Sequence, residues 1–434
     1  MNAPRPPPAS GPSLPNPWWI PPFLGRVPPG VDRRHLSLLG AVAAALMFEE
    51  YDLALITSVL PFIAEHFGVL ESSLPIYLGV VRLGALPAVV LIASGDQMGR
   101  RRAFLASVLA SALATVATGF AWSIESFVFF QMVVRMTFVV GVSVAYVLIA
   151  EEFPAERRGW GMGALAALGA LGYGVEAGLF SQIEHLPYGW RSLYWAGALP
   201  LLFMGVLART IPETSRFSAH AATRAGPSLA LWRQAIDPIR RLAAENAGRS
   251  SGVSICMAAI GFAGVAAFQF TSYYTIGTLG WSPGQYAAMF VVGGAVGIVG
   301  NIVAGTLGDR VGRRRVGALC LSGFPLFVAL FYWGPGWAVP LAWVGFVFTS
   351  SGGRMILRAF STELFPTDRR ATASGWVMIV EVVSSAAGLL ALSIFTQVEG
   401  DLARFIPVLS LATLAAAAVL LRFPETRSRE LESI

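Results

Sequence analysis

The chain has 434 residues, 55% of them hydrophobic and only 13% charged, with a mean hydropathy of +0.63. Soluble domains carry about 25% charged residues, so a soluble globular protein is excluded and a polytopic membrane protein is expected. The net charge of +6 does not point to nucleic acid, because all 31 basic residues are Arg and they cluster between apolar runs. Cys256 and Cys320 both fall in apolar stretches, which argues against a disulfide framework or a zinc site.

Residues 1–30 hold eleven of the 27 prolines, and 1–35 is expected to be a disordered tail. It lacks the early apolar core of a cleavable signal peptide. A transmembrane helix needs about 20 apolar residues. Runs of that kind are read at 36–67, 74–94, 103–123, 125–150, 160–183 and 191–211, which form a first six-helix half over 36–211. Residues 212–250 are a polar linker, with an amphipathic helix expected around 229–245. A second half over 251–423 contains runs at 251–279, 284–307, 316–334, 337–362, 371–396 and 403–422, before a short tail over 424–434. Twelve spans put both termini on one side. The arginine-bearing connections place that side in the cytoplasm, with the chain in a cytoplasmic (inner) membrane.

Three motifs recur in the same order. Gly95-Asp96-Gln97-Met98-Gly99-Arg100-Arg101-Arg102 returns as Gly308-Asp309-Arg310-Val311-Gly312-Arg313-Arg314-Arg315, an offset of 213 residues. Glu151-Glu152-Phe153-Pro154 with Arg157 and Arg158 returns as Glu363-Leu364-Phe365-Pro366 with Arg369 and Arg370, and Pro212-Glu213-Thr214 as Pro424-Glu425-Thr426, both at 212. Such spacing implies two structural repeats. The sequence resembles the major facilitator superfamily, whose loop signature is Gly-x-x-x-Asp-Arg-x-Gly-Arg-Arg/Lys. The copy from Gly305 to Arg314 matches throughout, whereas the first copy has Ile92 for the leading Gly and Gln97 for Arg. The Glu-x-x-Pro-x-x-x-Arg and Pro-Glu-Thr motifs are similar to those of the sugar-porter and metabolite:proton symporter branches.

Ionisable residues inside spans carry the chemistry. An Asp or Arg at the bilayer centre costs about 2.5–3.5 kcal/mol on insertion scales, so it faces a partner or an aqueous cavity. Glu49, Glu50 and Asp52 fall in the first span, Arg82 in the second, Arg135 in the fourth, Glu176 in the fifth, Arg354 and Arg358 in the tenth and Glu381 in the eleventh. At about 1.5 Å per residue, the three acids, Arg82 and Arg135 share one layer, and Arg354 and Glu381 come out at matching depth as a candidate pair. Glu49 and Asp52, three apart, share a helix face. Glu50 points elsewhere and is expected to meet Arg82. Glu176 joins the charged layer or forms an outer gate. Gln269 and Tyr273 in the seventh span share a face, with Tyr274 beside them.

The resemblance implies a fold of twelve helices in two pseudo-symmetric halves that rock around a midplane site. In the symporter branch the first span carries Asp-Gly-aromatic-Asp; here Glu49-Glu50-Tyr51-Asp52 with Pro61 matches it. The branch's fourth-span Arg falls at Gln131, with Arg135 one turn further along. Proton coupling is therefore expected at Asp52, Glu49 and Arg135. Substrate contacts are expected from Arg82, Gln131, Gln269, Tyr273, Tyr274, Arg354, Arg358 and Glu381. A cytoplasmic gate is expected from Asp96, Arg100, Glu151, Arg158, Asp309, Arg310, Arg313, Glu363 and Arg370, with Asp96 approaching the eleventh span and Asp309 the fifth. The four arginines favour a small organic acid as substrate. The expectation is a monomeric secondary transporter in the bilayer, moving a small molecule with protons. It needs no cofactor or metal and binds no nucleic acid. It is not an enzyme, since no nucleophile–base constellation is present. An efflux pump, or a receptor that binds without transport, is the alternative.

Overall fold

The computed structural model describes residues 15–92, 99–213, 247–364, 370–399, 401–423 and 425. These residues are helical with no strand among them. Helix α1 runs Arg33–Ser58 and resumes as Leu60–Phe67, the break falling where Pro61 enters the second piece. α2 is Leu74–Leu83, α3 Arg100–Gly119, α4 Ile124–Glu152 and α5 Arg158–Phe180. α6 is Trp190–Ala196 followed by Leu199–Thr210. α7 is Ala247–Gln269 and ends in a π-helical turn, Tyr273–Thr278. α8 is Pro283–Val311, α9 Arg313–Trp333, α10 Val339–Glu363 and α11 Arg370–Glu399. α12 is Leu402–Ser410 followed by Ala412–Leu420.

Local chemistry explains the boundaries. The Asp32 carboxylate accepts from the His35 amide and His35 Nδ1 accepts from the Asp32 amide, a capping box that starts α1. Donation from that amide holds the Asp32 carboxyl below its ordinary range. Ser123 with Ser126 starts α4 in the same way, and Ser282 with Gln285 starts α8. Gly99 and Gly312 sit at φ 102° and 117° just ahead of α3 and α9, and at Gly312 this lets α8 turn sharply into α9. Pro407 has no N–H for the Ala403 carbonyl one turn back; the Trp333 indole donates to that oxygen at 3.1 Å instead.

Ten helical segments are long and apolar enough to cross a membrane, counting the turns that extend α2 to Ile92. α1 and α10 complete twelve; each has the length but carries several of the charges noted above. Large apolar side chains such as Leu202, Ile302 and Leu319 face outward, as in a bundle surrounded by lipid tails.

The sequence repeat has a counterpart in packing. A side chain on Gly172 (α5) would collide with the Met47 carbonyl (α1), and one on Gly388 (α11) with the Phe262 carbonyl (α7). A Cβ on Gly84, just past α2, would fall 2.6 Å from the Met132 carbonyl (α4), and one on Gly300 (α8) 3.1 Å from the Phe348 carbonyl (α10). Corresponding residues are 215–216 apart. The glycines let backbones approach in both halves at matching places.

One expectation meets a different structure. From Pro15 onward the proline-rich segment is packed: Ile20, Val27 and Val31 are buried with α1, and Trp19 lies on Gly40. Asn16 bridges Gly25 and Val27, and Arg157 donates to the Pro29 carbonyl at 2.9 Å. Disorder over all of 1–35 is thus corrected. Apolar residues between the prolines dock on the first half, and proline, fixed in φ, loses little entropy on ordering. The amphipathic helix expected at 229–245 lies outside the described residues.

Candidate functional site

The two halves meet through α2 with α11 and α5 with α8. Among the described residues, every hydrogen bond between the halves lies at midplane or toward the face opposite the arginine loops. Gln269 Nε2 donates to Thr57 Oγ1 at 3.1 Å, and the Ser272 hydroxyl to the Thr57 carbonyl. Ser393 Oγ donates to the Ser72 carbonyl at 2.8 Å, and Glu71 Oε1 accepts from the Leu402 amide at 3.0 Å, capping α12. Phe180 meets Tyr286 edge to face, and Tyr173 meets Phe290. The seam is therefore closed at one end. No comparable link joins the halves at the arginine-bearing end among the described residues.

At midplane the first half contains a small cleft lined by Glu49, Asp52, Gln131 and Arg135 with Leu53, Ile56, Val134 and Phe138. Asp52 is 3% exposed and Glu49 5%, and neither carboxylate has a hydrogen-bond partner. Arg135 faces both Asp52 and Glu50, with the Tyr173 hydroxyl beside them. Gln131 lines the same cleft but turns its amide to Thr118 Oγ1 at 3.2 Å. Three of the residues expected for proton coupling, Asp52, Glu49 and Arg135, are thus brought together.

A matching cleft in the second half is lined by Ile260, Gly264, Leu321, Phe324, Thr349, Ser350 and Thr413. By the offset of the glycine contacts, Gly264 stands where Glu49 does and Ala267 where Asp52 does. The pseudo-symmetric pocket has no ionisable lining. The sealed acids belong to one half only.

Arg82 spans the seam. Its guanidinium donates to Gln269 Oε1 at 2.9 Å across the halves, near Arg135, Arg354 and Glu381. Arg354 and Glu381 pair at 3.5 Å between α10 and α11, as their depths imply. Arg358 is exposed and lies near Tyr146, which also faces Glu50. The expectation that Glu50 meets Arg82 is corrected: Glu50 faces Tyr173 and Arg135, because it projects from α1 toward α4 and α5. Tyr274 does not join the site. Its hydroxyl donates to the Tyr332 carbonyl inside the second half, and its ring packs on Phe331 and Tyr332. Tyr273 lies on the seam but further out, beside Glu71. Glu176 is fully buried at the closed end.

The arginine-bearing face holds charge networks within each half. Arg100 meets Glu151 at 3.8 Å, and Arg158 donates to the Phe153 carbonyl. Asp309 pairs with Arg313 at 3.2 Å in its own turn rather than with a residue of α5. Arg310 is exposed at the end of α8. Asp96 and the side chains of Glu363 and Arg370 lie outside the described residues. Sequence reasoning missed what the Pro-Glu-Thr motifs do. Glu213 accepts from the Arg101 amide at 3.2 Å; Glu425 accepts from the Arg313 and Arg314 amides at 2.9 and 3.3 Å. Each half ends by capping its own third helix. Tyr146, Tyr173, Thr57, Ser58 and Tyr286 were also missed; the matched 212-residue offset was the one signal available, and only for the caps.

The family model described as Major Facilitator Superfamily matches residues 42–389 and 253–433. The niacin transporter NiaP of Acinetobacter baylyi is 24% identical, with 93% of this chain and 97% of the relative covered. The gallate transporter of Pseudomonas putida is 23% identical, with 88% and 90% covered. A solved D-xylose–proton symporter superposes with a TM-score of 0.70 at 18% identity, over 91% of this chain and 99% of that one. A bacterial homologue of the lysosomal transporter Spinster gives 0.69 at 16%, over 90% and 94%. With the family model matching most of its length, the chain is a multi-pass membrane transporter of the major facilitator superfamily.

Proposed function

We propose that this transporter moves a small organic acid, its carboxylate held by the seam arginines, in exchange for protonation changes at Asp52. Arg82 is the observation that carries this reading. It bridges the halves, its only hydrogen-bond partner among the described residues is the neutral Gln269, and no carboxylate among them lies within ion-pair distance. Arg135 and Arg354 repel it further. A cation in that position lacks the counter-charge that burial demands, and a substrate carboxylate supplies it. Tyr146 and Tyr173 stand beside Glu50, and Tyr173 also beside Arg82 and Arg135. Relatives named for niacin, gallate, cis,cis-muconate and 3-(3-hydroxyphenyl)propionate transport all handle carboxylic acids.

The coupling follows from Arg135. It faces the sealed Asp52 and Glu50 together. An incoming carboxylate draws the guanidinium toward the cavity and leaves Asp52 without its nearby cation. A buried carboxylate in that condition takes up a proton. The arginine-bearing face is assigned to the cytoplasm, so the structure corresponds to the outward-closed half of the alternating-access cycle.

The test uses the purified transporter in proteoliposomes and a matched pair, benzoate and benzamide, as competitors of accumulated benzoate. Benzoate is expected to compete, benzamide to fail, and Arg82→Gln to weaken benzoate competition at least about tenfold. Equal competition by acid and amide would overturn the reading.

A further inference from the structure

We propose that Glu176 is a proton-operated latch of the outer gate, separate from the coupling site at Asp52. Glu176 is 0% exposed, and neither carboxyl oxygen has a hydrogen-bond partner. It sits on α5 where α5 meets α8, at the closed end of the seam. The Ser58 hydroxyl of α1 stands beside it and also beside the Tyr286 hydroxyl of α8. Tyr286 in turn meets Thr271 Oγ1 of α7 at 3.4 Å. The carboxyl thus lies between hydroxyls of the two halves, Ser58 of the first and Tyr286 of the second, with neither held to it by a hydrogen bond of normal geometry.

The groups facing it are neutral. Tyr51 from α1, Tyr194 from α6 and Tyr286 from α8 are the titratable neighbours. Asp52 lies beyond Tyr51 and Tyr194, which feel both acids. No arginine among the described residues acts on Glu176. An ionised carboxylate sealed among phenols and hydroxyls, with no cation and no hydrogen bond, is strongly disfavoured. Closing the gate therefore requires the Glu176 carboxylate to take one proton from the outer water and become a neutral acid. Opening the gate wets the side chain and returns that proton to the same side. The proton is not carried across, so it alters the external pH dependence of the cycle without altering the number of protons moved per substrate. The unpaired carboxyl, absent from the corresponding second-half contact between α11 and α2, makes this a property of one seam only.

One linked proton changes the ratio of open to closed gate by up to about tenfold per pH unit, with opening favoured as pH rises. Spin labels at Leu70→Cys and Gln397→Cys, on exposed outer positions of the two halves, report the gate distance. The measurement is made in nanodiscs between about pH 5 and 9, in an Asp52→Asn background, so that its outcome does not depend on the coupling site. The open population is expected to rise with pH when Glu176 is present and to stay low and flat in Glu176→Gln. Glu176→Asp should retain a slope. Glu176→Ala serves if the glutamine variant does not fold, and should also lose the slope. A pH response that is the same with and without the carboxyl, or no response when Glu176 is intact, overturns the proposal.

Discussion

The Glu49 carboxylate rests on Gly141 of the neighbouring helix, so closely that a Cβ at Gly141 would occupy the place of Oε1. An acid and a hydrogen side chain thus share one space between α1 and α4. Gly141→Ala should force Glu49 out of its position, with an overpacking cost of about 1–3 kcal/mol. Adding Glu49→Ala vacates the space, and the double variant should recover much of that loss. Thermal unfolding of the four proteins in one detergent gives the coupling energy. Additive effects would mean that the two residues do not compete for the site.

The Arg354–Glu381 pair is more open than its sequence depth implied, with side chains 31% and 25% exposed. Its worth lies between those of surface and buried pairs. Either neutral substitution alone should cost about 1–2 kcal/mol, and the double substitution should cost less than the sum. Glu381→Gln also removes the acid that partly offsets Arg82. It should therefore tighten binding of a carboxylate substrate while lowering stability. A cycle with no coupling, or weaker carboxylate binding, would argue against this arrangement.

Glu425 and Glu213 cap α9 and α3 from the far ends of their own halves. A carboxylate on helix-start amides contributes about 0.5–2 kcal/mol. Glu425→Ala should lower the unfolding temperature and increase amide exchange over Arg313–Val316, whereas Glu425→Gln should retain part of the effect because its side-chain oxygen still accepts. Unchanged exchange in the alanine variant would show that the cap contributes nothing.

The twelve spans, the two-fold repeat and the charged layer were legible because each breaks a strong rule. Apolar runs of span length have few other uses, and an Asp or Arg within one is costly enough to stand out. What escaped was carried by neutral residues. Tyr146, Tyr173, Ser58 and Tyr286 look like ordinary packing in an apolar helix. Tyr274 was misplaced because adjacency to Tyr273 assigns no face: one residue further along the helix turns the side chain by about 100°, into the second half against Tyr332. The partner of Glu50 depends on how α4 and α5 sit around α1, which spacing along one helix does not contain. The direction of opening depends on contacts between halves some 200 residues apart, such as Thr57 with Gln269.

Coupling is expected to rest on Asp52. It is 3% exposed, neither oxygen has a hydrogen bond of normal geometry, and the Thr115 hydroxyl and the Arg135 guanidinium stand beside it. Burial opposes its charged form and the guanidinium favours it. The balance changes whenever Arg135 turns toward Glu50 or a substrate carboxylate. Asp52→Asn fixes the neutral state. That variant should lose uphill accumulation driven by an imposed pH gradient, while still exchanging labelled for unlabelled substrate across the bilayer. Glu49→Gln is the necessary control, because Glu49 lines the same cleft and is equally unpartnered. Arg135→Gln should shift the balance the same way by removing the attraction that keeps Asp52 ionised, so its exchange should persist while its pH dependence flattens. Substrate flux in proteoliposomes, with and without the gradient, separates these cases. If Asp52→Asn still accumulates substrate uphill with an unchanged pH profile and Glu49→Gln does not, coupling rests on Glu49 instead.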